Sequence, residues 1–488
     1  MQHQLVWFRN DLRVRDNQAL SQAVASKQAV LAVYLACPQQ WQSHDLAPIQ
    51  ADLIERRLAT LQQQLAELNI PLLVVHCPDF ASVPQCFLQL AQQYHIGAVH
   101  FQQQYELNEQ RRDQAVQQSL SQQGLEVFSY HGDCILPPAS VLTKTAQVFK
   151  VFTPFRKAWL GQLDDACFSP LAAPAAVLAS LVPDSFKPLL AQPEPVKLDY
   201  PTQDSSAWLC DEHQVIQCLR DFSAAKAESY QQLRDFPAEA GTSKLSAYLA
   251  LGIISPRQCL ARLYHDHPQV LESQQGGAFV WLSEIVWREF YRHLIAAYPQ
   301  LCKGRAFLEW TERVSWQHDE QLLQAWQQGK TGYPIVDAAM RQLAETGWMH
   351  NRLRMIVASF LSKDLLIDWH HGERWFMQHL IDGDFASNNG GWQWAASTGT
   401  DAQPYFRIFN PTTQGERFDP SGEFVRHWLP ELSEVPGKKV HQAHTWAEKH
   451  AVHLAYPKPI VDHAKQRKLA LSLFEQAKAN YGAVEPLS

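Results

Sequence analysis

"QADLIERRLATLQQQLAELNIPLLVV", residues 50–75, changes its period partway along. Through 50–68 apolar residues return every three or four positions, so one face of a helix is apolar. From Pro71 the pattern becomes an unbroken apolar run, "PLLVV" (71–75), which suits a strand covered on both faces. Working outward, "QLVWF" (4–8), "AVLAVYLA" (29–36), "GAVHF" (97–101) and "LEVFSY" (125–130) repeat the strand signal, with helical patterns between them. That alternation predicts an α/β domain over residues 1–131, a doubly wound, Rossmann-like parallel sheet with helices on both faces. No G-x-G-x-x-G follows the first strand. "VWFRNDLRVRDN" (6–17) stands there instead, so a standard dinucleotide site is not expected in this domain.

Beyond the fifth strand the chain changes character. Residues 132–206 read as an interdomain linker, because 168–201 hold seven prolines and little periodicity. From 207 to 488 strand signals vanish and helical patterns follow one another, which predicts an all-α domain. The 488 residues carry a net charge of −7, with 46% hydrophobic and 19% charged residues, the balance of a soluble globular protein. Residues 1–200 contain 14 basic and 17 acidic residues, so neither part is a basic domain. Contact with nucleic acid would have to use a local patch. No apolar run approaches the roughly 20 residues of a membrane helix, and no basic segment leads into an apolar stretch as in a secretory signal. Nine cysteines without a C-x-x-C predict reduced thiols, a cytoplasmic protein and no metal site.

Four stretches carry chemistry. In "EAGTSKLSAYLALGIISPRQCL" (239–260), Thr242 or Ser243 is expected to cap a helix, whose free N–H groups with Lys244 suit a phosphate. An ordinary cap is the commoner reading. In "WLSEIVWREFYRHLI" (281–295), Leu282, Val286, Phe290 and Leu294 form an apolar stripe, while Trp281, Glu284, Trp287, Arg288 and Tyr291 share a second face. Such a face suits a pocket that stacks flat rings and bonds their edges; a solvated, ion-paired face explains it equally well. In "TGWMHNRLRMIVASFLSKDLLIDW" (346–369), Asn351, Arg352 and Met355 share one face, and Leu353, Ile356, Val357 and Phe360 point toward packing. The fourth, "IDGDFASNNGGWQWAASTGTDAQPYFRIFNPTTQ" (381–414), shows neither a helical nor an alternating period and is expected to be a loop. There Asp382 and Asp384 flank Gly383, Asn388 and Asn389 offer amides, and Gly390–Gly391 would let backbone approach a flat ring. Trp392 and Trp394 would face opposite ways in an extended segment. Twelve of the sixteen tryptophans lie between 281 and 446, and core filling is the plainer account of most of them.

Together, "LVWFRNDLR" (5–13), "GTSKLS" (241–246), "WREFYRHL" (287–294), "KTGYPIVDAAMRQL" (330–343) and "NNGGWQWAASTGTDAQPYFRIFNP" (388–411) resemble the photolyase/cryptochrome family. The resemblance is strongest to the bacterial, folate-using class I cyclobutane pyrimidine dimer photolyases. It implies a light-dependent carbon–carbon lyase that splits pyrimidine dimers in UV-damaged DNA, duplex or single-stranded, by electron transfer from photoexcited reduced FAD. It implies that FAD is held by Tyr230, the residues Thr242, Ser243, Lys244, Leu245 and Ser246, Trp281, Arg288, Asp382, Gly383 and Asp384, with Asn388 beside the flavin N5. Glu284 would bond the damaged bases, Trp287 and Trp394 would flank them, and Asn351 and Met355 would complete the pocket. Arg234, Arg352 and Gln414 would touch DNA. Photolyases extrude the target base from the stack, at a cost of a few kcal/mol that is least for damaged bases. Trp392, Trp369 and Trp316 would carry electrons to oxidised flavin. His44, Asn108, Glu109, Cys302 and Lys303 resemble a site for a methenyltetrahydrofolate antenna. A monomer is expected.

Three other readings are weighed against this one. A cryptochrome photoreceptor shares fold and flavin, but Asn388 matches the photolyase choice where plant cryptochromes typically carry Asp, and no long polar tail follows. A (6-4) photoproduct enzyme would carry a histidine pair in the segment of "WMHNRLRM", where Asn351 follows His350 here. A non-photochemical flavoprotein lacks support, since nothing resembles a nicotinamide site.

Overall fold

The computed structural model describes residues 2–482. Five strands, β1 (His3–Phe8), β2 (Val30–Ala36), β3 (Leu72–His76), β4 (Ile96–Gln102) and β5 (Glu126–Tyr130), form one parallel sheet in the order β3-β2-β1-β4-β5. The five expected strands are all present. The order reverses direction at β1, between β2 and β4, which leaves a crevice at the C-terminal strand ends of such sheets. β2 and β4 are buried along their whole length, whereas the outer strands β3 and β5 are partly exposed. An edge strand has one neighbour and fewer covering helices, so the expectation of five buried strands holds only for the middle of the sheet.

The pattern at 50–68 gives the helix Pro48–Glu67, whose buried face carries Leu53, Leu58, Leu61 and Leu65 together with the polar Gln50 and Arg57. Residues 132–206 are not a bare connection. They hold the helix Phe152–Leu160, anchored by Phe152, Phe155 and Trp159 at helical spacing, and the short helix Lys187–Ala191. Val177 N–H donates to Leu68 O at 2.9 Å and Leu171 N–H to Asp16 Oδ1 at 2.9 Å, so even the proline-rich part is tied down. From residue 207 the described chain is helical, with only the isolated bridge residues Gln317 and Ile367 as extended pairing.

By contacts the chain divides into two compact units. The first runs up to Glu228 and takes in Ser243–Pro299 and Ile381–Asp384; the second holds Ser229–Thr242, Gln300–Leu380 and the chain from Phe385 on. The first unit therefore includes the sheet, the 132–206 stretch and several helices. The second has its own core, with Trp326, Val336, Met340, Leu353, Phe360, Trp369 and Trp392 buried together.

Two expectations are corrected. The stretch 381–414 is not a loop throughout: Phe385–Ala396 is a twelve-residue helix. Its buried residues are Ala386, Asn389, Trp392, Gln393, Ala395 and Ala396, so the inner face does have helical spacing, but two of the six are polar and three are alanines, and an apolar period does not register. Residues two apart on a helix are also roughly opposite, and Trp392 is buried while Trp394 is half-buried. Nor do Thr242 and Ser243 cap a long helix. The helix that follows, Ser246–Ala250, has five residues and no side-chain cap. The cap comes later: Ser255 starts the helix Pro256–Asp266 with a capping box in which Ser255 and Gln258 bond each other's backbone.

Candidate functional site

In the first unit the helix Gly276–Ala297 organises the site. Leu282, Val286, Phe290 and Leu294 are buried, and Glu284, Trp287, Arg288 and Tyr291 make a half-buried stripe, as the spacing predicts. Trp281 is buried instead; its indole Nε1–H donates to Ser243 Oγ at 3.4 Å. Trp287 lies flat on Phe152, ring centroids 3.7 Å apart, so one indole face is backed by the protein. Arg288 donates to Asp133 O at 2.5 Å, to the Asp133 carboxylate and to Leu249 O.

One turn further in, the same helix grips the loop after β5. The Glu289 carboxylate, fully buried, accepts from Ile135 N–H, from Leu136 N–H and from Trp159 Nε1–H at 2.6 Å. His293 Nε2 donates to Leu136 O at 3.0 Å, and burial pushes this imidazole down to about 4, so it stays neutral. Arg292, 3% exposed, pairs with Asp133 and with Asp384 Oδ2 at 2.6 Å. The segment Ile381–Asp384 is held a second time by Gln50, whose Nε2 donates to Ile381 O at 3.1 Å and Gly383 O at 2.9 Å. Asp382 beside it is buried.

Asp384, Arg292 and Asp133 also line a small polar pocket with Arg9, Gln102 and Glu106. It lies where β1 and β4 end, at the reversal of strand order. Arg9 Nε and Nη2 and Gln102 Nε2 are buried there without a hydrogen-bond partner. Burial, with Glu109 and Asp384 nearby, pushes the Glu106 carboxyl up to about 8. Near the start of the 48–67 helix, His44 Nε2 lies 3.1 Å from Asn108 Nδ2 and 2.8 Å from Gln40 Nε2. Its Nδ1 lies 3.6 Å from Glu109 Oε1. Three of the five expected antenna residues are thus brought together; half-buried Cys302 and exposed Lys303 belong to the second unit.

In the second unit Asn388 Nδ2 donates to Glu373 O at 2.9 Å, and Asn389 Nδ2 to Glu373 Oε1 at 2.8 Å. Arg352 pairs with Asp235 at 2.7 Å and lies over the Phe418 ring at 4.5 Å, while Asn351 is exposed and Met355 half-buried on the same helix, Asn351–Ser359. His350 caps that helix: its Nδ1 accepts from Arg352 N–H at 3.2 Å, and burial holds the ring at about 4, in the neutral form the cap needs. Arg234 stands over the Tyr230 ring at 5.5 Å. Gln414 is half-buried on the helix Pro411–Phe418. Trp392 and Trp369 are buried in one core and Trp316 packs at its edge. Sequence reasoning missed Gln50, Glu289, Arg292 and Glu373. Arg292, one turn past Arg288 on the same face, had a signal; a glutamine early in a surface helix has none.

Two family models match the chain. One described as DNA photolyase matches residues 4–175, and one described as the FAD binding domain of DNA photolyase matches 281–476. A flavin-binding photolyase architecture is thereby defined. The chain is 53% identical over 476 residues to the deoxyribodipyrimidine photo-lyase of Vibrio cholerae, covering 97% of this chain and 99% of that one, and 52% identical over 478 residues to that of Escherichia coli, covering 97% and 98%. A solved structure, a bacterial class III photolyase from Agrobacterium tumefaciens, is similar at TM-score 0.85 and 36% identity, covering 98% of each chain. A cryptochrome from Synechocystis is similar at TM-score 0.82 and 28% identity, over 97% of this chain and 99% of that chain. The chain belongs to the DNA photolyase family.

Proposed function

We propose that this chain is a class I cyclobutane pyrimidine dimer photolyase, a carbon–carbon lyase that uses light and FAD to split pyrimidine dimers in UV-damaged DNA. The observation that carries the reading is the near end-to-end identity, over half of all positions, with relatives named deoxyribodipyrimidine photo-lyase. The donors fit the cofactor. Ser243 and Ser246 hydroxyls with Lys244 suit phosphate, the Asp382 and Asp384 carboxylates suit sugar hydroxyls and ring N–H groups, and buried Trp281 supplies a flat apolar wall. Tyr230, Thr242, Leu245, Gly383 and Asn388 would complete that set, with the Asn388 amide held by its bond to Glu373 O. Arg288, already donating to Asp133 and Leu249, serves by fixing that wall's helix.

When bound, FAD would supply the light-driven one-electron chemistry of the reaction. The protein's part is geometric and electrostatic. Glu284, on the half-buried stripe, bonds the edge of the damaged base. Trp287, backed by Phe152, and Trp394 make apolar walls, and Asn351 and Met355 close the pocket. Arg234, Arg352 and Gln414 contact the DNA strand, with Arg352 aimed by Asp235. Trp316, Trp369 and Trp392 relay electrons during photoactivation. His44, Asn108 and Glu109, with Cys302 and Lys303, hold methenyltetrahydrofolate as an antenna. On this reading residues 1–131 are the antenna domain, 132–206 the connection and 207–488 the catalytic domain of a monomeric, cytoplasmic enzyme.

The test is an absorption spectrum of the purified protein followed by blue-light repair of a thymine-dimer oligonucleotide. Bound flavin with light-dependent repair is expected, with Glu284→Ala keeping FAD but lowering repair yield. Flavin-bound, reduced protein that leaves the dimer intact overturns the reading in favour of a photoreceptor.

A further inference from the structure

We infer that Gln50 and Arg292 form a clamp that positions the Asp382 and Asp384 carboxylates for FAD; the inference rests on the reading above that these two aspartates contact the cofactor. Three residues, 382–384, carry both carboxylates, and the middle one is Gly383, the residue type with the widest choice of backbone conformation. A segment of this kind does not hold two carboxylates in a fixed relation by itself. Gln50 supplies the missing constraint. Its amide has two N–H donors, and Nε2 reaches the carbonyls on either side of Asp382, those of Ile381 and Gly383. Gln50 is itself 3% exposed, so these bonds do not compete with bulk water.

Arg292 fixes the other end. Its guanidinium is buried and shared between Asp133 and Asp384, and Asp133 is shared in turn with Arg288. The charges alternate along a line, Arg288, Asp133, Arg292, Asp384, so each is neutralised by its neighbours. The planar fork of an arginine sets the direction of both carboxylates, which a lysine ammonium would not. A residue that only anchored the fold would need neither two carbonyls straddling an acidic residue nor a fork ending on the next one.

Gln50→Met keeps the side-chain volume and removes both donors; Arg292→Lys keeps the charge and removes the fork. Titration of apoprotein with FAD, the midpoint potential of the bound flavin and melting of the apoprotein separate positioning from plain stability. For Gln50→Met, the FAD dissociation constant rises about tenfold, because the Asp382 carboxylate is no longer held in place before FAD binds. The flavin potential shifts, a readout that plain destabilisation does not move, while the apoprotein melts somewhat lower because the freed Ile381 and Gly383 carbonyls are buried. Arg292→Lys weakens FAD in the same direction. Wild-type affinity and potential in Gln50→Met overturn the clamp. So does a lowered apoprotein melting point accompanied by loss of FAD but an unchanged potential in the flavin that still binds. A wild-type chain that takes up no FAD overturns instead the functional reading beneath it.

Discussion

The helices Gly276–Ala297 and Phe385–Ala396 bury their inner faces with different chemistry. The first packs Leu282, Ile285, Val286, Phe290 and Leu294 into a core, and its buried ions, Glu289 and Arg292, each have two or more partners. The second buries one large ring, Trp392, against Phe376 and Trp326, and otherwise three alanines, Ala386, Ala395 and Ala396, with the polar Asn389 and Gln393. Its polar residues are held by bonds. Asn389 Oδ1 accepts from Gln393 Nε2 at 3.0 Å, and the same side chain donates to Glu373, while Gln393 Oε1 accepts from Phe307 N–H at 2.8 Å. Close approach matters there too, since a Cβ at Gly372 would run into the Trp392 ring. The first helix is held mainly by apolar area. The second is held by a single ring and a satisfied network.

The largest expected effect follows on the apolar side. Leu282 is 1% exposed, so Leu282→Ala removes a full core side chain and leaves a cavity, at a cost of about 3 kcal/mol. Denaturant unfolding measures it. A loss smaller than that of the polar variant below breaks the contrast between the helices.

On the network side, Asn389→Ala removes a donor and an acceptor at once, at a cost of about 2 kcal/mol. It also carries a pH signature. Burial holds the Glu373 carboxyl above its ordinary 4.5, and the Asn389 donor pulls it partly back. A carboxyl whose folded value is raised binds more protons in the native state, so stability falls as pH climbs from 4.5 through that raised value. Without Asn389 the raised value goes higher and the fall continues to higher pH; Glu373→Gln flattens this contribution. Unfolding midpoints of the three proteins from about pH 5 to about pH 8 decide it. Parallel curves would take Glu373 out of the network's energetics.

The same contrast explains what the sequence discloses. The sheet and the 276–297 helix are legible because burial of apolar residues leaves a local mark, an unbroken run in a doubly covered strand and a 3.6-residue period in the helix. The stripe of Glu284, Trp287, Arg288 and Tyr291 is legible for the same reason, being local. The 385–396 helix is not, because the burial of Asn389 and Gln393 is only affordable once Glu373 and Phe307 are in place, and no window of sequence contains them. Gln50 meets its acceptors 331 and 333 residues away. Arg288 shows itself as a charged residue in an aromatic face, yet its partner Asp133 lies 155 residues back. Residue types and faces are local information; partners are not.

The smallest effect sharpens the comparison most. Gly391 lies inside the 385–396 helix, exposed, and a Cβ there would meet nothing within 4 Å. On folding grounds alone alanine is the better residue, by about 0.5–1 kcal/mol, since glycine gives up more backbone freedom in a helix. Gly391→Ala is therefore expected to raise the unfolding midpoint with FAD content unchanged. If instead stability rises and flavin is lost, the glycine is there for a ligand that lies against the helix backbone, and this helix gives up folding energy to make room for it. A fall in stability would mean that the open space beside Gly391 is filled in the folded protein, and the network account of this helix would need another member.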